Sequence, residues 1–124
     1  MVTTDIDQFT EECNTWREAL RSQREEFSRM KNQLQNAAAH ITSKEALQAV
    51  DHYENQFDIQ LSNIHDLKQS IKAHNRTFAF QFVADNNPPE MMSDHKKLTA
   101  DFHDLRRTLH ELKTDFQRFL INYS

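Results

Sequence analysis

From Thr42 to Ala84 the chain runs without a proline or a glycine, and its apolar residues return every three or four positions: Leu47, Val50, Tyr53, Phe57, Leu61, Ile64, Leu67, Ile71, Phe78 and Phe82. Such steps mark one face of an α-helix, and at about 100° per residue the set covers a sector of about 160°, wider than the seam of a two-stranded coil. A stripe that wide can serve two neighbours at once. The stretch therefore predicts the central helix of an antiparallel bundle, touched by one helix before it and one after it.

The flanking segments supply those helices. Ile6, Phe9, Cys13, Trp16, Leu20, Gln23, Phe27, Met30, Leu34 and Ala37 alternate steps of three and four with one polar member, a coiled-coil-like pattern about 50 Å long. Thr4 is placed to cap its start, with Asp7 in the first turn where a carboxylate suits the helix dipole. Ala37 to Ile41 should hold the first reversal, and Thr42 with Glu45 has the spacing of a capping box that restarts the chain. Asp85-Asn86-Asn87 supplies turn formers ahead of Pro88-Pro89-Glu90. Asn87 as cap and Pro88 in the first turn would open the third helix, with a start at Ser93 as the alternative. Its pattern is Met91, His95, Leu98, Phe102, Leu105, Leu109, Leu112, Phe116, Phe119 and Tyr123. Short links between long helices make antiparallel neighbours. The expected fold is all-α: one domain over residues 1–124, an elongated antiparallel up-down-up three-helix bundle with coiled-coil-like heptads and helices at about 5–38, 43–84 and 88–122.

Composition narrows the function. The chain has no glycine, so loops that cradle phosphates, dinucleotide fingerprints and nucleophile elbows are excluded, because each needs glycine at a tight turn or close approach. Fifteen Lys and Arg against nineteen Asp and Glu give a formal net charge of −4 with the signs interspersed. Arg17, Arg21 and Arg24 share a face but stand among Glu18, Glu25 and Glu26, and Arg106 and Arg107 stand near Asp101, Asp104 and Glu111. Both groups read as solvated helix surface, and no nucleic-acid partner is expected. No apolar run approaches the roughly twenty residues of a membrane span, and Met1 to Asp5 lack the regions of a signal peptide. The lone cysteine, Cys13, can form no internal disulfide, which suits a reducing compartment and a cytoplasmic protein. Within the heptads it reads as a small core residue.

Three groups of residues stand out. Of the seven histidines, His74 and His95 fall within a turn of each other across the second and third helices, while Asp7 and Glu11 of the first reach the same end. Two imidazoles and a carboxylate can ligate zinc at about 2.0 to 2.2 Å. The alternative is plain hydrogen bonding at a wet bundle end. Gln23 and Gln60 occupy core-type positions about one turn apart, where a buried amide pair would fix register; the alternative is that both lie at the edge of the seam and reach water. Last, Phe80 falls opposite the apolar face and lies near Val83, Met91 and Met92 at one tip, a mixture of aromatic and thioether side chains that interfaces use. The sequence-level reading is a non-catalytic interaction or scaffolding module without a cofactor. Its partner is another protein or a second copy of itself, a homodimer included. A bundle holding a metal or small ligand at the His74, His95, Asp7 and Glu11 end is the alternative.

Overall fold

The computed structural model describes residues 2–84 and 89–123, and the side chains of 7–77 and 92–123. Three α-helices pack against one another: α1 (Val2–Ala38), α2 (Lys44–Ala84) and α3 (Pro89–Tyr123), of 37, 41 and 35 residues. At about 1.5 Å per residue each spans more than about 50 Å. Every described residue outside 39–43 is helical. α1 already runs from Val2, so Thr4 lies inside the helix rather than at its cap. Pro89 lies within α3, which removes the later start at Ser93; Asn87 and Pro88 lie outside the described residues.

The link between α1 and α2 is built without glycine. His40 N–H donates to the Ala37 carbonyl at 3.1 Å and Ile41 N–H to the Ala38 carbonyl at 3.2 Å, so α1 closes by tightening its last turn to three-residue bonds. α2 then starts at Ser43, whose carbonyl accepts from Leu47 N–H at 2.9 Å and whose hydroxyl oxygen accepts from Ala46 N–H at 3.4 Å. The cap is thus Ser43 and not Thr42, and the Thr42/Glu45 box does not form. Glu45 still lies in the first turn, where its charge favours the helix dipole.

Burial follows the alternating steps. α1 buries Phe9, Cys13, Trp16, Leu20, Phe27, Met30 and Leu34; α3 buries His95, Leu98, Phe102, Leu109, Phe116 and Phe119. On α2 the buried positions are Ala46, Val50, Phe57, Gln60, Ile64 and Ile71, with Tyr53 and Leu67 half-buried between them. Leu47, expected on this face, is 40 % exposed. Ala46 holds the register position, and a residue one step further is turned about 100° away from it. Ile59 is exposed on the outer face of α2, as its offset from the stripe predicts.

Each helix sends a phenylalanine to the middle of the core. Phe57 meets Phe116 edge-on, ring centroids 4.9 Å apart and planes at 86°, and Phe27 at 5.8 Å and 75°. Burying such a side chain contributes about 1.5–3 kcal/mol, and edge-to-face packing adds to it. Tyr53 closes the cluster by donating its hydroxyl to the Asp115 carbonyl at 3.2 Å.

The side-chain pairs set the senses of the helices. Tyr53 meets Phe116 and Phe119 while His74 meets His95, so residue numbers on α2 and α3 run in opposite directions. Phe9 meets His95, Trp16 meets Phe102 and Glu26 meets Lys113, so α1 and α3 run the same way. Both lie along α2, which carries most of the contacts, and they touch each other least. That seam between α1 and α3 is where the bundle is most open.

Candidate functional site

His95 occupies a core position of α3, three residues before Leu98 and seven before Phe102 in the stripe, and its imidazole is driven inward with the apolar face. It is 5 % exposed, and both ring nitrogens are engaged. Nε2 lies 2.7 Å from Glu12 Oε2 on α1, and Nδ1 lies 3.3 Å from His74 Nε2 on α2. One ring thus ties all three helices together. Phe9 stacks on it at 4.0 Å with planes 11° apart, and Trp16 lies at 5.0 Å.

The sequence brings His74 and His95 together as expected, but the carboxylate differs. It is Glu12; Asp7 and Glu11 are exposed. Each of those two follows or precedes a core position, Phe9 or Cys13, by two residues, which turns it about 200° from the core at 100° per residue. Glu12 stands beside Cys13 on the flank that faces α3.

The proton arrangement follows from the carboxylate. An ionised Glu12 can only accept, so His95 Nε2 carries the hydrogen. In the neutral pair His95 Nδ1 then accepts from His74 Nε2–H. Burial, followed by the neighbouring His95, holds the His74 pKa below its ordinary value, with Asp94 partly opposing. Because both nitrogens of His95 already point at protein atoms, no lone pair remains for an ion. Among the described residues no group of three or more His, Cys, Asp or Glu could hold a metal, and the cluster is a polar tie within the core. Next to it Cys13 is 1 % exposed, and burial, helped by the Glu12 charge, pushes its thiol up to about 11. A thiol so placed is inert packing.

The open seam between α1 and α3 holds two adjoining depressions of about 430 and 470 Å³, which share Gln23, His103, Arg106 and Leu109. The floor is apolar: Trp16, Leu20, Phe102 and Leu109. The walls are unlike. On the α1 side stand Thr15, Ala19 and Ser22, small residues at steps of four and three, followed by Glu26. On the α3 side His103, Arg106, His110 and Lys113 succeed one another at steps of three, four and three. Lys113 Nζ reaches Glu26 Oε1 at 2.5 Å and Arg107 pairs with Asp104 at 3.3 Å, whereas Arg106 makes no ion pair among the described residues. The α3 stripe was present in the sequence at helical spacing. The acids near it along the chain do not share its face: Asp101 and Glu111 lie about 140° around the helix from Arg106 and Asp104 about 160°.

The other expected sites divide. Gln60 is buried, and its side-chain oxygen accepts from Asn63 Nδ2 at 3.2 Å, while Gln23 is half-buried in the seam. No hydrogen bond joins them, so the amide pair is not formed. Arg17, Arg21 and Arg24 line shallow depressions with Lys68 of α2, and Glu18 pairs with Arg21 at 3.5 Å. The side chains of Phe80, Val83 and Met91 lie outside the described residues, and Met92 is half-buried. No helix among the described residues is long and apolar enough to cross a membrane. Comparison with protein-family models, with curated protein sequences and with solved structures finds no match to this chain.

Proposed function

We propose that this chain is a non-catalytic helical-bundle module that binds protein, and that the seam between α1 and α3 is its binding face. The observation that carries the reading is the seam itself. Two parallel helices touch each other least along it, and they leave an apolar floor between a wall of small side chains and a wall of long ones that carries Arg106, Lys113 and two histidines. An approaching helix can settle on Thr15, Ala19 and Ser22, because small side chains let backbones come within the 8–10 Å of packed helices. Trp16 at the floor and Arg106 at the rim belong to the residue types that concentrate binding energy.

The cluster of Glu12, His95 and His74 supports this reading. A general acid or base must reach a substrate, and His95 instead faces Phe9, Trp16 and its two hydrogen-bond partners. Its work is to hold three helices in register so that the seam keeps its shape.

Site-specific photo-crosslinking tests the proposal. A photoreactive amino acid at Ala19 in the seam, introduced in cells of the source organism, should give discrete protein adducts. The same group at Ser62, on the outer face of α2, should give none. Equal labelling at both positions, or none at Ala19, would remove the seam from the account.

A further inference from the structure

We infer that the seam between α1 and α3 receives an acidic amphipathic helix of a partner protein, whose carboxylates meet the stripe His103, Arg106, His110 and Lys113. The inference rests on the reading of the seam as a protein-binding face and specifies what that face accepts. Three observations carry it.

The first is charge. Arg106 lines both depressions at the middle of the seam and has no ion pair among the described residues, while Lys113 one turn beyond His110 is neutralised by Glu26. A guanidinium at the rim of an apolar floor is suited to a carboxylate arriving with an apolar surface, and its planar fork can hold both oxygens. The second is spacing. Steps of three, four and three along α3 match acids at three- and four-residue spacing on a helix laid alongside. The third is length. The lining residues run from Thr15 to Glu26 on α1 and from Phe102 to Lys113 on α3, about 16 Å or three helical turns. A fourth helix of that length would convert three helices into a four-helix arrangement and cover the floor.

The same features disfavour a nucleic-acid strand. Glu26 stands in the wall, the floor offers apolar side chains, and the chain carries a net charge of −4. Phosphate tracking needs a run of cations.

The test uses the full chain and two synthetic peptides of about twenty residues, helical by design. Both carry leucine at core spacing; one flanks it with glutamate and the other with lysine. Binding is read from the emission of Trp16, the only tryptophan, and by calorimetry. The glutamate peptide should bind, weaken as salt is raised, and lose about tenfold or more in affinity with Arg106→Glu. Arg21→Glu, on the face shared by α1 and α2, should leave it unchanged, and Arg106→Glu should gain affinity for the lysine peptide. Circular dichroism on each variant separates lost binding from lost folding. Equal binding of both peptides, no effect of Arg106→Glu, or no binding at all would overturn the acidic-helix inference. So would inorganic polyphosphate displacing the peptide at equal or lower concentration, which would make the stripe a phosphate site. Adducts at Ala19 together with failure of the glutamate peptide would leave the protein-binding reading standing and remove only the acidic partner; absence of both would remove both.

Discussion

Glu12 and His95 allow the three-helix tie to be taken apart one atom at a time. Glu12→Ala removes the acceptor for His95 Nε2–H, which lies in a side chain only 6 % exposed. A buried donor left unmatched costs about 1–3 kcal/mol. The Glu12 side chain is itself 35 % exposed, so water can reach toward the gap, and the lower half of that range, about 1–2 kcal/mol, is expected. Glu12→Gln behaves differently. Its amide oxygen can accept the same N–H, and only the charge assistance is lost, a cost of about 0.5–1 kcal/mol. His95→Phe removes both polar nitrogens while preserving a ring to stack on Phe9, and adding Glu12→Ala to it should then cost less than in the parent chain. Urea unfolding followed by far-ultraviolet circular dichroism and Trp16 emission would supply the stabilities of the parent chain, the three single variants and the double variant, with an unchanged denaturant slope as the condition for comparing them. Equal costs for Glu12→Ala and Glu12→Gln, or strict additivity with His95→Phe, would refute the tie.

Other consequences can be measured on the same material. Phe57→Ala opens the centre of the core at a residue with no exposed surface, and a loss of about 3–5 kcal/mol in urea unfolding is expected, against little change for Ile59→Ala on the outer face. The folded pKa of His74 lies below its ordinary 6.5, so the unfolded chain binds more protons as pH falls through that value. Stability should therefore decline below about pH 6.5 and level off once the folded His74 protonates, and His74→Phe should flatten that part of the melting-temperature profile. With its thiol pushed up to about 11 and 1 % exposed, Cys13 should react with a thiol reagent at pH 7.5 only at the rate of unfolding and at once in denaturant; prompt reaction of the native chain would contradict the burial.

Most of the fold is legible in the spacing of apolar residues, because one face of a long helix must be buried and nothing in the sequence interrupts it. Gln60 and His95 show the limits of reading by residue type: both are polar, both keep the register, and both are buried where the alternating steps place them. Errors of one residue arise where a side chain of the right chemistry stands beside the right position. Ser43 caps α2 while Thr42 precedes it, and Ala46 is buried while Leu47 is exposed. The same shift separates Glu12 from Glu11 at the histidines, since levelling two helices by loop position fixes height but not azimuth. The seam was illegible for a different reason. Its openness depends on how closely α1 approaches α3, a distance between segments that are far apart in sequence and that share no turn. The stripe of His103, Arg106, His110 and Lys113 could have been read from the wheel, but only the packing shows that it borders an apolar floor and not open solvent.

Where a partner helix binds decides whether the seam is the receiving face. Backbone amide shifts of the isotopically labelled chain, followed while the glutamate peptide is added, would map it. Perturbations should concentrate in residues 15–26 of α1 and 102–113 of α3, with the Trp16 indole among the largest and the outer face of α2 around Ile59 unmoved. Shifts centred on α2, or spread evenly over all three helices, would contradict it.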